Sequence, residues 1–136
     1  EDIENSDILL LGVSRTSKTP TSIYLANRGY KVSNIPLVNE KSVPEKTKNN
    51  KFKPCVVGLT TEADRLFDIR KNRLTSLKEK DSSDYVNITQ IKKELENSKK
   101  IFRTNKWPMI DVTRKSVEET AASIIKIHEI YLNNGK

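Results

Sequence analysis

The sequence predicts an α/β domain in three layers, with a central parallel sheet of about four strands, order 2-3-1-4, flanked by helices. Three observations carry that expectation. Four short β-type segments alternate with segments of helical periodicity. The first of them runs through a tight loop straight into a helix. Glycine and proline then punctuate the joins, as at Gly29 and Pro36.

The first strand is Asp7–Leu11, and its helix follows the loop and ends at Arg28-Gly29, where glycine suits a left-handed cap. Tyr30–Ile35 is the second strand, closed by Pro36. The stretch Asn39–Pro54 is rich in lysine and nearly free of apolar residues apart from Val43 and Phe52, so it reads as a mobile polar loop. Val56–Leu59 makes a third strand, with Thr60 or Thr61 as the cap of the next helix and Glu62 in its first turn. That helix, 62–78, places Ala63, Leu66, Phe67, Leu74 and Leu77 on one face.

A polar break at Glu79–Asn87 leads to a third helix, Ile88–Arg103, with Ile88, Ile91, Leu95 and Phe102 in one stripe. Pro108–Val112 is the last strand. A closing helix, Ser116–Leu132, turns Val117, Ala121, Ile124 and Tyr131 inward. No internal repeat interrupts this single 136-residue domain.

Composition narrows the function classes. The net charge of +7 suits an anionic ligand, although a lysine-rich solvated surface accounts for much of it. Aromatic residues are few and not interleaved with the basic ones, which argues against a nucleic-acid stacking platform. No stretch approaches the roughly 20 apolar residues of a membrane span. One cysteine, Cys55, excludes an internal disulfide framework and suits the cytoplasm, where a buried, inert thiol is expected. The chain opens at Glu1 without a methionine, as a processed protein or an excised fragment does. CxxC, HExxH and G-x-S-x-G are absent, so metal-hydrolase and serine-hydrolase readings lack support.

The densest signal is Gly12-Val13-Ser14-Arg15-Thr16-Ser17-Lys18-Thr19. It has the spacing of a phosphate-binding P-loop, with Ser17 where a second glycine is usual. Loop amides converge on an anion, and the helix that follows adds the positive end of its dipole. Lys18 is expected to sit between phosphates, and the Thr19 hydroxyl to reach a Mg²⁺ ion. Ser17 keeps a backbone donor but adds a Cβ, which is tolerable only if its φ stays negative.

Other residues are candidates on weaker grounds. Arg70 falls within the apolar stripe of its helix, so it must pair, snorkel or reach into a site. With Arg73 it is a candidate clamp for phosphoryl oxygens, whereas Arg65 reads equally well as solvated. Asp111 ends the last strand, where it either supports Mg²⁺ or a nucleophile or caps the next helix, although Thr113 and Ser116 are better placed to cap. Asp7 lies at the wrong end of the sheet for phosphate chemistry. His128, the single histidine, shares the apolar register of the closing helix and reads as packed. Trp107 reads as core or rim.

Beyond the loop, Pro20, Tyr24-Leu25-Ala26, Gly29-Tyr30-Lys31-Val32, Ile35-Pro36-Leu37-Val38, Gly58-Leu59-Thr60, Ile69-Arg70-Lys71-Asn72-Arg73-Leu74, Trp107-Pro108, Ile110-Asp111-Val112-Thr113 and Ser116–Ala121 follow one pattern. Together they resemble the pyruvate, phosphate dikinase regulatory proteins and the related phosphoenolpyruvate synthase regulatory proteins, matching the C-terminal half of that family. Thr16-Ser17-Lys18-Thr19 resembles the dikinase branch, since synthase regulators more often carry Cys-Gly before Lys-Thr. The resemblance implies a bifunctional cytoplasmic enzyme. It would phosphorylate an active-site threonine of the dikinase from ADP, and reverse this with inorganic phosphate as cosubstrate and pyrophosphate as product.

The partners so implied are the dikinase, ADP with Mg²⁺, and phosphate, with a homodimer as one possible assembly and neither membrane nor nucleic acid expected. Lys18, Asp111, Arg70 and Arg73 are the catalytic candidates, Gly12–Thr19 the nucleotide-binding loop, and Thr19 the metal contact. A small-molecule P-loop kinase of the nucleoside-monophosphate kinase type is the alternative. A basic module that holds only sulfate or phosphate is a third reading.

Overall fold

The computed structural model describes residues 3–76 and 87–134, without the side chains of residue 40 and residues 73–76. Its strands are β1 (Ile8–Gly12), β2 (Val32–Pro36), β3 (Cys55–Thr60) and β4 (Met109–Asp111). Its helices are α1 (Lys18–Ala26), α2 (Ala63–Ser76), α3 (Ile88–Thr104) and α4 (Val117–Asn133). Each expected element among the described residues is present, with ends shifted by a residue or two. Stripe positions Leu74 and Leu77, and the polar break as far as residue 86, lie outside the described residues and side chains.

All strand pairs are parallel, and the order is β2-β1-β3-β4. The expected order 2-3-1-4 is therefore corrected. β1 and β3 are central, as expected of wholly buried apolar strands. What differs is which edge strand each one holds. β1 returns through the nine-residue α1 and the turn at Gly29 (φ 95°) to a strand directly beside it. β3 likewise returns through α2 and α3 to β4. Strands consecutive in the chain are usually neighbours in the sheet, and here β1–α1–β2 and β3–α2–α3–β4 each pair so, back to back on the β1–β3 seam.

The layers follow from the pleat. Ile8 and Leu10 of β1, with Val57 and Leu59 of β3, meet Leu25 of α1 and Ala121 and Ile124 of α4 on one face. Leu9, Leu11 and Val56 meet Leu66 of α2 and Ile91, Leu95 and Phe102 of α3 on the other. Gly58 is needed where Phe102 crosses β3, because a Cβ there would lie 2.5 Å from the ring.

The crossover from β2 to β3 is the segment 37–54. It carries two short 3-10 turns and buries Leu37 and Val43, with Phe52 packed against the same core. Its apolar residues thus cover part of the face where a helix would otherwise lie.

Three residues outside the loop stand where their patterns place them. Cys55 is buried, and burial pushes its thiol up to about 11. His128 packs edge-on against Tyr30, ring centroids 5.6 Å apart. Asp7 accepts from the Lys31 amide at the end of the sheet remote from the loop. Among the described residues no helix is long and apolar enough to cross a membrane.

Candidate phosphate-binding site

β1 ends in Gly12, and the chain turns at once. A Cβ on Gly12 would sit 2.6 Å from the Thr16 hydroxyl and 2.9 Å from the Leu59 carbonyl oxygen, so only glycine fits this turn. The loop then curls around one of its own carbonyls. Thr16 Oγ1 donates to Val13 O at 2.8 Å, and Lys18 Nζ donates to the same oxygen at 2.7 Å. Thr16 is fully buried and Lys18 is only 8% exposed.

Arg15 (φ 72°) and Ser17 (φ 66°) both occupy the left-handed region, with Thr16 between them. Backbone that alternates hand in this way turns successive amides toward one concavity, a nest that favours anions. The expectation that Ser17 keeps a negative φ is thereby corrected. The loop's path requires the left-handed conformation whatever the residue, which explains why glycine is usual at this position. Ser17 is also the N-cap of α1, but its side chain makes no capping bond. The first amides of α1 therefore lack a side-chain cap, and Pro20 sits within the first turn, where a missing N–H costs little.

Burial pushes the Lys18 ammonium down to about 8, and the positive charges of Arg15 and Arg70 add to the effect. An anion placed here would meet a cation already stripped of much of its water. The cleft in front of the loop has a volume of about 560 Å³. Ser14, Arg15, Ser17, Lys18 and Thr19 line it, joined by Asn34 and Pro36 of β2 and Ile69 of α2. Gly12, Val13 and Thr16 are buried behind these residues as scaffold. A second hollow, about 690 Å³, lies by the opposite ends of β3 and β4 and includes Trp107, Phe52 and Tyr131.

The remaining sequence candidates are placed differently. Arg70 is 2% exposed and grips Glu94 with both terminal nitrogens, at 2.8 and 3.3 Å, while Nη2 also reaches Ser14 O at 3.4 Å. It thus stands behind the loop, outside the cleft lining. Arg73 lies three residues on in α2, and its side chain is outside the described set. Asp111 is on β4, separated from β1 by β3, a lateral offset of roughly 10 Å for two strand spacings.

Asp111 Oδ1 accepts from the Thr113 amide at 2.9 Å and from its hydroxyl at 2.5 Å. Thr113 Oγ1 in turn accepts from the Glu62 amide, just ahead of α2, and bonds Thr61 Oγ1 at 2.9 Å. Partial burial raises the Asp111 carboxyl, but the Thr113 bonds, Lys99 and Arg114 together hold it below the ordinary carboxylate value. The capping alternative for Asp111 falls to Ser116, which forms a capping box with Glu119.

A profile of the kinase/pyrophosphorylase family matches residues 1–125, nearly the whole chain. The chain belongs to the kinase/pyrophosphorylase family. Similar members carry the name pyruvate, phosphate dikinase regulatory protein. One from Pelagibacter ubique is 68% identical over 135 residues, covering 99% of this chain and 49% of its own length. Another, from Sphingopyxis alaskensis, is 55% identical over 129 residues, covering 95% and 47%. A third, from a Wolbachia of Brugia malayi, is 51% identical over 127 residues, covering 93% and 46%. The chain spans about half the length of the curated relatives it matches.

Two residues of this kinase/pyrophosphorylase chain escaped the sequence reading. Glu94 is an acidic residue beside Ile91 and Leu95 on the inward stripe of α3, as Arg70 is a basic one on the inward stripe of α2. Two opposite charges on apolar stripes are a signal that they pair. Asn34 left no such mark, because only the order of the strands brings β2 to the cleft.

Proposed function

We propose that this chain is the phosphate-binding catalytic half of a bifunctional enzyme acting on pyruvate, phosphate dikinase in the cytoplasm. The forward reaction moves the β-phosphoryl group of ADP to a target threonine hydroxyl, leaving AMP and releasing the hydroxyl proton. The reverse transfers that phosphoryl group to inorganic phosphate, regenerating the threonine and forming pyrophosphate. The observation that carries the reading is the loop itself, with Lys18 buried against Val13 O and two left-handed residues in front of an uncapped helix start.

Each part has a role in this chemistry. Loop amides and the α1 dipole hold the diphosphate without reorganising, which is how charge is stabilised as the phosphoryl group transfers. Lys18 adds a desolvated cation, and Arg15 offers a second at the rim. Mg²⁺ would offset the diphosphate charge when bound. Thr19, exposed on the first turn of α1, is the residue to hold it, and the described residues form no acidic or histidine cluster that would hold a metal alone. A single hydroxyl ligand, with phosphates and water completing the shell, is normal for Mg²⁺. The same anion cradle serves the attacking phosphate in the reverse direction.

Phosphate transfer from labelled ADP to purified dikinase, by this chain joined to the N-terminal half of its relatives, tests the reading. Transfer to threonine supports it. Transfer to free nucleotides or metabolites instead would establish the small-molecule kinase, and no ADP binding with Mg²⁺ would leave a plain anion-binding module.

A further inference from the structure

The geometry points to Arg70 and Glu94 as a positioning pair that sets the shape of the phosphate loop from behind. This rests on reading Gly12–Thr19 as a phosphate site. Arg70 joins three elements: it leaves α2, takes Glu94 of α3 in a two-pronged grip, and donates to the Ser14 carbonyl of the loop. The peptide between Ser14 and Arg15 is planar and trans, since among the described residues no peptide bond is cis. Its carbonyl and amide therefore point in opposite directions. A guanidinium that holds Ser14 O turns the Arg15 N–H away from Arg70. Arg15 is also the first of the two left-handed residues, so this peptide decides where the nest begins.

Glu94 is needed because Arg70 stands within a hydrophobic layer. Its carboxylate, three-quarters buried at 23% exposure, fixes the plane of the guanidinium and neutralises its charge. A guanidinium so fixed has one direction left in which Nη2 can donate, toward Ser14 O. Lysine cannot replace it, because one ammonium on a flexible stem cannot span both partners in a fixed plane. The pair thus acts on ligand binding through the loop and touches no phosphate itself.

Arg70→Lys separates this role from plain stability, since it keeps the charge opposite Glu94 and loses the fork. ADP affinity with Mg²⁺ is measured by calorimetry, and hydrogen exchange is followed at the amides of residues 14–17. We expect affinity to fall about tenfold or more, the scale of one charge-assisted hydrogen bond. Loop exchange should quicken while the amides of β3 and α4 stay protected. Glu94→Gln, which keeps the shape but not the charge, should move both readouts the same way and less far, and it stands in if Arg70→Lys does not fold. Wild-type affinity and unchanged loop exchange in a folded variant would overturn the proposal. Should the wild-type chain bind no ADP, the reading of the loop fails, and the exchange experiment still decides the brace.

Discussion

The Lys18 ammonium donates to the Val13 carbonyl across the same turn that the two residues close, at 2.7 Å. That bond does two things. It satisfies a charge that is almost entirely out of water, and it holds the ammonium at the floor of the cleft. The cost shows in its acidity, pushed down from 10.5 to about 8 by burial, then by Arg15 and Arg70.

Stability should follow that shift with a definite sign. Between about pH 8 and 10.5 the folded chain gives up the Lys18 proton while the unfolded chain keeps it. The unfolded state then binds more protons, so this group's contribution to stability rises with pH through the window. The whole shift corresponds to something on the order of 3 kcal/mol. Urea melts at pH 7.5 and pH 10 should show less of this pH-dependent gain in Lys18→Met than in wild type.

Binding of ADP or phosphate should reverse the shift, because an anion beside Lys18 restores its ordinary basicity. Complex formation at pH 8.5 should take up protons, read as a dependence of calorimetric heat on the buffer's ionisation enthalpy. Lys18→Met should remove that uptake and weaken binding about ten- to a hundredfold, the range of a hydrogen bond to a charged group. Uptake unchanged in the variant would assign the proton to another group.

Ser17→Gly should stabilise the chain. Ser17 holds φ 66° and ψ 22°, where a Cβ crowds the backbone. Relief of that strain is partly offset by the greater freedom of glycine in the unfolded chain, leaving a net gain of about 1 kcal/mol. A raised thermal midpoint checks this, with ADP affinity maintained because the loop's path is unchanged.

Gly58→Ala should do the opposite. The new methyl would meet three atoms of the fully buried Phe102 ring at 2.5–2.6 Å, so the ring or the strand must shift. Overpacking of this kind costs about 1–3 kcal/mol. Adding Phe102→Leu should recover part of the loss, and a double-mutant cycle in urea measures how much.

Thr113→Val should separate two loops at the same end of the sheet. The Thr113 hydroxyl serves Asp111, Thr61 and the Glu62 amide at once. Removing it leaves three partners short, for about 2 kcal/mol. Amide exchange at Glu62 should quicken in the variant, and an unchanged rate there would deny the bridge.

The Gly12–Thr19 turn of the candidate site was legible in the sequence because it is local. Gly12 to Thr19 is a contiguous run whose strand, turn and helix are dictated by its own residues, and the structure brings five of its eight residues to one cleft. The Ser17 backbone was misread for a local reason too. A serine side chain argues for negative φ, but the loop's closure onto Val13 O overrides that preference. Arg70 was conspicuous as a charge within an apolar stripe, yet its direction depended on Glu94, 24 residues away on another helix.

The sequence by itself determined the alternation of strand and helix, the buried β1 and β3, the strand–turn–helix at Gly12–Thr19 and the family. All of these rest on periodicity and short motifs. Only the tertiary structure decided which strands are neighbours, since pairing depends on where each crossover returns. That decision put β2, with Asn34 and Pro36, against the cleft and moved Asp111 out behind β3. It also brought Arg70 against Glu94 and the Ser14 carbonyl, because a buried guanidinium is held by the nearest carboxylate and carbonyl that the packing supplies.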